Sequence, residues 1–227
     1  MDIKNDIHIM EMNDKLYQRL KQSELVIHAK VESVLRQISS WKYATHEFYV
    51  PAPYQNELAG LPNGRIRKNI EEKDRLKIAG LYSFGFNAEG KILCSQEAPD
   101  NIGNGIITDI YEYDNAFSYY VYHVKYIPNQ YTTIISISYF YPYHEMNIFQ
   151  GINSYKDWSV YLYEYDKERI SKVHRYASRW DNMPAEEYNF AYENNLLCAI
   201  VGEEKTKEWR IIYPLENKKF ITRKDNP

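Results

Sequence analysis

Hydrophobic positions near the start of the chain follow a helical period. From Asn13 to Ser39 apolar residues recur at spacings of three, four and seven, which places them along one side of an α-helix. This stripe consists of Leu16, Leu20, Ile27, Val31, Val34 and Ile38. Asn13 or Asp14 has a side chain suited to cap the first turn. The pattern predicts one amphipathic N-terminal helix.

After Trp41 the pattern becomes irregular, and proline and glycine recur as far as Gly64, which is typical of a loop. The charged run from Ile66 to Lys77 is compatible with a second short helix, and its periodicity is ambiguous. Two domain organisations follow. Either residues 1–80 form a helical segment with a loop and 81–227 form a β domain, or 1–227 is a single domain.

From Gly80 to about Pro214 the period changes to two, with runs of Tyr, Ile, Val and Phe separated by turn-forming residues. Four hairpins are predicted: Tyr82–Phe86 with Lys91–Cys94, Phe117–Tyr126 with Thr132–Tyr141, Trp158–Tyr165 with Ile170–Tyr176, and Tyr188–Tyr192 with Leu196–Val201. A last strand is predicted at Glu208–Tyr213. Successive strands without helices between them indicate a meander. The predicted fold class is α+β: an N-terminal amphipathic helix followed by a mostly antiparallel, tyrosine-rich β-meander.

An aromatic residue followed by an acidic or amide residue ends several of these strands. The pairs are Phe86-Asn87, Tyr113-Asp114, Tyr165-Asp166 and Tyr192-Glu193, at spacings of 27, 52 and 27 residues. The spacing of 52 leaves room for one degenerate copy near Tyr139–Tyr143. Two interpretations remain open: copies of one hairpin-sized unit, or a tyrosine-rich meander whose short turns coincide.

Charge is unevenly distributed along the 227 residues. Residues 81–160 contain 3 Lys and Arg, 8 Asp and Glu, and 12 of the 23 tyrosines. Such a region repels phosphate backbones and attracts basic ligands. We therefore expect a basic protein partner and no binding of nucleic acid.

The chain shows no pattern typical of export or membrane insertion. Its first residues lack the basic and apolar stretches of a secretory signal. The longest stretch without charged side chains, Tyr126–His144, has strand period and contains Pro128 and Pro142, so we expect no membrane helix. Cys94 and Cys198 lie in apolar strand-like runs, which predicts buried reduced thiols. These features predict a cytoplasmic location.

No linear motif for catalysis or metal binding is present. The six histidines are not paired at ligand spacing, and the sequence has no nucleophile elbow or phosphate-binding glycine loop. We expect no metal, cofactor or catalytic residue. An alternative stays open: a small hydrolase or nucleotide-modifying enzyme in which His123 or His174 meets a carboxylate from another strand.

Rows of tyrosine are the remaining candidate for a site. In the strands around residues 110 and 160, tyrosines alternate with aliphatic residues, so they line one sheet face while the aliphatic side chains form the core. Tyrosine is enriched at interfaces. The alternatives are half-buried cross-strand ladders, tyrosines that lie under the N-terminal helix, and glycan binding. The predicted partner-binding residues are Asp109, Tyr111, Glu112, Tyr113, Asp114, Tyr161, Tyr163 and Tyr165.

One segment resembles a known family. Leu162-Tyr-Glu-Tyr-Asp-Lys-Glu-Arg-Ile-Ser-Lys-Val173 is similar to the tyrosine-aspartate repeats of bacterial Rhs-type toxins, although Glu168 stands where those repeats have Gly. By size and context the chain resembles the small cytosolic immunity-type proteins of such toxin loci. The resemblance implies a non-enzymatic protein-binding module that occludes a basic toxin partner.

Overall fold

A computed structural model describes residues 3–59, 61, 64–99, 105–178, 186–194 and 196–203, and these contain one antiparallel sheet of 12 strands. The strands are β1 (Ser40–Ala44), β2 (Ile66–Arg67), β3 (Tyr82–Phe86), β4 (Ile92–Glu97), β5 (Ile106–Tyr113), β6 (Tyr119–Ile127), β7 (Tyr131–Tyr143), β8 (Met146–Asn153), β9 (Trp158–Asp166), β10 (Arg169–Ala177), β11 (Glu186–Glu193) and β12 (Leu196–Glu203). From β3 to β12 each strand pairs with the next, and β1 lies between β3 and β2.

The helices are α1 (Ile7–Leu20), α2 (Glu24–Arg36) and α3 (Gln55–Leu58). The prediction of one helix from Asn13 to Ser39 is wrong, because the stripe is divided between α1 and α2. Ser23 caps α2 by accepting a hydrogen bond from the Val26 N–H, and Asp6 caps α1 by accepting one from the Ile9 N–H at 3.1 Å. Asn13 lies inside α1 and accepts a hydrogen bond from Gln150 instead.

The four predicted hairpins are confirmed as β3–β4, β6–β7, β9–β10 and β11–β12. Gly90 has φ +78° in the first turn, the left-handed conformation that its position predicts. The second short helix is reduced to the two-residue strand β2 and a 3₁₀ turn at Glu72–Asp74. The strand predicted at Glu208–Tyr213 lies outside the described residues.

Strand alternation gives the sheet two faces, which we call the helix face and the tyrosine face. The helix face contains most aliphatic side chains of β5 to β9, and α1 and α2 cover it with Ile9, Leu16, Ile27 and Val31, all buried. This face also buries five tyrosines: Tyr120, Tyr122, Tyr126, Tyr139 and Tyr141. The predicted separation of an aliphatic core face from a tyrosine face therefore holds for β5 and β9 but not for the whole sheet. Cys94 is buried on the helix face, and the prediction for Cys198 lies outside the described side chains.

A polar cluster on the helix face connects both helices to the sheet through hydrogen bonds and ion pairs. Glu112 of β5 accepts a hydrogen bond from Arg19 of α1 at 2.8 Å and another from Lys30 of α2. The Tyr122 hydroxyl also contacts both cations. Deeper in the same layer, Gln150 donates to the Ile9 carbonyl at 2.8 Å. Each helix thus has a polar contact that fixes its position as well as an apolar one.

The tyrosine face is also covered. Residues 45–59, which we call the covering loop, cross it and contain α3. Tyr119 donates a hydrogen bond to the Pro51 carbonyl at 2.7 Å, and Tyr188 donates one to the Leu58 carbonyl at 3.4 Å. Ala52 and Leu58 join a second apolar cluster with Tyr163 and other residues of β8 to β12. The segment that the sequence predicts to be a loop thus forms a second layer, which packs on the tyrosine face of the sheet.

Among the residues described, no helix has the length and apolar character needed to span a bilayer.

Candidate functional site

The structure divides the predicted partner-binding residues between the two sheet faces. Asp109, Tyr111 and Tyr113 of β5 lie on the tyrosine face, and so do the three tyrosines of β9. Glu112 lies on the helix face, where it binds the two helices. Asp114 is exposed after the end of β5 and accepts a hydrogen bond from Tyr139 at 2.9 Å.

Several of these tyrosines are not accessible to a partner. Tyr163 is 0% exposed and Tyr111 is 5% exposed, because the covering loop and neighbouring aromatic rings lie over the sheet at these points. Tyr113 and Tyr165 are half-buried, and each hydroxyl has a hydrogen-bond partner. The expectation of an open row of tyrosines is thus corrected: Asp109 and Tyr161 are the two members that come together at an accessible cavity.

This cavity, which we call the groove, has a volume of about 320 Å³ and lies between the covering loop and strands β5 to β9. Glu47 and Gln55 of the loop form one wall. The opposite side consists of sheet residues: Asp109, Val121, His123, Ser136, Ser138, Phe149, Ser159 and Tyr161. Its volume is that of a small-ligand pocket.

Small residues in neighbouring strands create the groove. Gly151 of β8 pairs with Ser138 of β7 on one side and with Ser159 of β9 on the other. A Cβ atom on Gly151 would lie 2.5 Å from the Ser138 Oγ, so a larger residue requires the Ser138 side chain to rotate away. Because these side chains are short, the sheet surface is depressed beside the cross-strand pair of Phe149 and Tyr161.

A carboxylate–imidazole pair lies at one end of the groove. Asp109 and His123 are direct cross-strand partners in β5 and β6, and their Oδ1 and Nδ1 atoms are 2.7 Å apart. The second carboxylate oxygen of Asp109 accepts a hydrogen bond from the Ser95 hydroxyl at 3.1 Å. Burial alone would lower the pKa of His123, but the hydrogen bond and charge of Asp109 raise it above the usual value.

Glu47 faces this pair from the covering loop. Burial raises the pKa of its carboxyl group to about 7, and the negative charges of Asp109 and Glu97 act in the same direction. His123 is the one described cation that opposes the shift. Within the described residues no Lys or Arg forms an ion pair with Glu47 or Asp109. Once Glu47 is ionised, above its pKa of about 7, two carboxylates face the single imidazole of His123, and the negative charge of the groove is incompletely balanced.

A second cavity of about 450 Å³ adjoins the groove and shares Ser136, Ser138 and Ser159 with it. Its far wall includes Arg175, which donates a hydrogen bond to the buried carboxylate of Glu186 at 3.0 Å. This cation is thus neutralised by its own partner. Asp157 lines the same cavity and adds a further carboxylate.

The other candidate groups are separated from the groove. His174 lies on the helix face, 2.8 Å from Glu164, so it shares no site with His123 on the tyrosine face. Cys94 is buried on the helix face, and burial raises the pKa of its thiol to about 12. In the part of the chain that the structure describes, no three His, Cys, Asp or Glu side chains are arranged to hold a metal ion.

Sequence reasoning missed the contribution of the covering loop. Nothing in its residues links Glu47 or Gln55 to strands 50 or more positions away, because that link arises from packing across the sheet. One signal was present in β7, where Ser136 and Ser138 alternate with isoleucine. Two serines on the same strand face in an otherwise aromatic sheet indicate a depression in its surface.

Comparisons with known proteins give no family for this chain. No protein-family model, curated protein or solved structure matches it.

Proposed function

We propose that the protein is a non-enzymatic binding module whose groove and surrounding tyrosine face receive a basic protein partner. The observation that carries the proposal is the incompletely balanced carboxylate charge of Glu47 and Asp109 in an accessible groove. Electrostatic complementarity of this kind steers association and selects partners of opposite charge. The half-buried Tyr161 at the groove wall supplies aromatic contact area.

The concrete form of this proposal is an immunity-type protein that occludes a basic toxin. Two features support it: the similarity of residues 162–173 to Rhs-type repeats, and the shortage of Lys and Arg in residues 81–160. Occlusion requires no chemistry from the module, since covering the partner's functional surface is sufficient. The contact would be centred on the groove, because all five predicted tyrosines are buried or half-buried and Tyr161 is the one of them that lines it.

The test is affinity capture of basic proteins from a lysate of the source organism, with purified protein as bait at low ionic strength. We expect one basic partner to bind to the wild type and to be lost with Glu47→Gln. Added salt should weaken capture because exposed charges are screened. The matched control is Glu89→Gln, which removes the same charge from the exposed β3–β4 turn. A partner retained equally by Glu47→Gln, or no basic partner at low salt, would contradict the proposal.

A second candidate is acid–base catalysis, favoured by one specific observation. His123 with its raised pKa and Glu47 with a pKa of about 7 face the same groove, so near neutral pH one can donate a proton while the other accepts one. Asp109 holds the imidazole by its Nδ1 atom. Such a pair fits a small hydrolase that activates water.

The test of this candidate is hydrolysis of activated esters and phosphodiesters, with p-nitrophenyl acetate and bis(p-nitrophenyl) phosphate as substrates. Catalysis at the groove predicts a bell-shaped pH profile and a loss of about 100-fold or more in His123→Gln. His174→Gln is the control, because that histidine lies on the other sheet face. Equal rates for wild type and His123→Gln would eliminate the candidate.

A further inference from the structure

We propose that the groove is a subsite for the guanidinium group of an arginine side chain, with Glu47 and Asp109 as the carboxylates that receive it. This inference rests on the proposed function, since the arginine belongs to the basic partner. It adds the chemical group that the groove recognises and the residues that recognise it.

The groove presents hydrogen-bond acceptors to a ligand. Gln55 lines it, and the Oε1 atom of Gln55 is buried without a hydrogen-bond partner among the described residues. Glu47, on the same wall, is half-buried, and its carboxylate adds a second acceptor to the groove. A buried acceptor without a donor costs free energy, so the site is complete only with a ligand that supplies donors. Guanidinium has five N–H donors and no acceptor.

A second orphaned group lies close by on the same strand face. Tyr111 is two residues from Asp109 in β5, is 5% exposed, and has a hydroxyl without a partner in the described part of the chain. The charges of Asp109 and Glu47 contribute to the raised pKa of this phenol, which places it within their field. Two of the buried side-chain atoms without a partner, the Gln55 Oε1 and the Tyr111 hydroxyl, thus belong to residues beside the two carboxylates, and others, such as the Ser83 Oγ, lie elsewhere in the described part of the chain.

Charge and shape distinguish arginine from other ligands. Asp109, Glu47 and the nearby Glu97 exclude an anion, and His123 is the one described cation that offsets them in the field at Glu47. Hydrogen-bond acceptors lie on both the covering loop and the sheet. The planar guanidinium of arginine has N–H donors in several directions and therefore suits this arrangement better than the compact ammonium of lysine. Val121, Phe149 and Tyr161 provide apolar surface for the methylene stem, and the adjoining cavity gives room for the partner's backbone.

The experiment is an NMR titration of the purified full chain with N-acetyl-arginine N-methylamide. Capped citrulline, which has the same shape without the charge, and capped lysine serve as comparison ligands. We expect saturable shifts at Gln55, His123 and Tyr161 with capped arginine, weaker binding of capped lysine and none of capped citrulline. Glu47→Gln should weaken binding about tenfold, whereas Glu89→Gln should leave it unchanged.

Several outcomes would overturn the inference: no saturable shift with capped arginine, equal binding of capped citrulline, tighter binding of capped lysine, or unchanged affinity in Glu47→Gln. The two proposals fail separately. If a basic partner is captured in a Glu47-dependent way but capped arginine does not bind, the guanidinium subsite is wrong and the binding module stands. If capped arginine binds but no basic partner is captured, the binding module is wrong and the guanidinium subsite stands.

Discussion

Glu47 has a carboxyl group held partly away from water and close to two other carboxylates, and its pKa of about 7 reflects both effects. In the unfolded chain the same group titrates near 4.5. The folded state therefore binds more protons than the unfolded state between these two values. The free energy of unfolding must fall as the pH rises through this window, because ionising Glu47 is more costly in the folded protein.

Replacement of Glu47 by Gln removes this penalty. We expect Glu47→Gln and wild type to be equally stable near pH 4 and the variant to be more stable above pH 7, by about 1–3 kcal/mol after allowance for partial exposure. Urea denaturation at both pH values measures the difference. Glu89→Gln, in an exposed turn, should show none. A variant no more stable than wild type at pH 8 would show that Glu47 ionises without penalty.

Two buried tyrosines differ in whether the hydroxyl has a partner. The Tyr111 hydroxyl has none among the described residues, whereas Tyr141 donates to Gln150 at 2.9 Å. We expect Tyr111→Phe to leave stability unchanged or to raise it by up to about 1 kcal/mol, and Tyr141→Phe to lower it by about 1 kcal/mol. Thermal denaturation at pH 7 compares them. A loss in Tyr111→Phe equal to that in Tyr141→Phe would reveal a partner for the Tyr111 hydroxyl.

Residue-level prediction succeeds where neighbours in sequence determine the outcome. Strand alternation correctly separates Tyr111 and Tyr113 from Ile110 and Glu112, because successive side chains point to opposite faces. It does not tell which face remains open to solvent. That depends on where the covering loop lies, and the burial of Tyr163 is therefore visible only in the folded structure.

At the scale of elements, α1 and α2 share one anchor on the sheet. Glu112 receives Arg19 from the first helix and Lys30 from the second, and both helices also bury apolar side chains around it. Burial alone would raise the pKa of Glu112, but the hydrogen bonds of Lys30 and Arg19 lower it overall. A lowered pKa means that the ionised carboxylate stabilises the fold above its unfolded pKa, and that this stabilisation is lost as the pH falls.

Glu112→Gln should therefore destabilise the protein at neutral pH and matter less in acid. We expect a loss of about 1 kcal/mol at pH 7, since the anchor is partly exposed and two cations lose their partner. The loss should shrink as the pH approaches 3. Denaturant unfolding across this range tests it, with Glu11→Gln on the exposed side of α1 as the control. A loss that is constant with pH would show that the carboxylate charge plays no part.

The sequence predicts a helix or strand correctly where local signals mark its ends. The hairpins are predictable because a glycine, an asparagine or a charged pair separates two runs in which apolar and polar residues alternate, as at Gly90. The hydrophobic pattern does not predict the break between α1 and α2, because the apolar stripe continues across it with helical spacing. Ser23 followed by Glu24 was the available signal, since this pair is typical of a helix N-terminus.

At the scale of the whole molecule, the sheet is covered by helices on one face and by the covering loop on the other. The helix layer includes apolar and ionic contacts, and the loop layer leaves a groove over short side chains. Asp109 from the acidic middle of the chain and Glu47 from the covering loop meet at that groove. The acidic character could be predicted from composition, but its concentration at Glu47 and Asp109 requires the loop to fold onto the sheet.

The most direct test of this concentration of charge is the pKa of Glu47, measured by ¹³C NMR of its side-chain carboxyl with and without capped arginine. We expect a midpoint of about 7 in the free protein. Saturating capped arginine should lower it markedly, because a bound cation favours the carboxylate. A midpoint near the ordinary value of 4.5 in the free protein, or one that capped arginine does not move, would contradict a cation-binding groove.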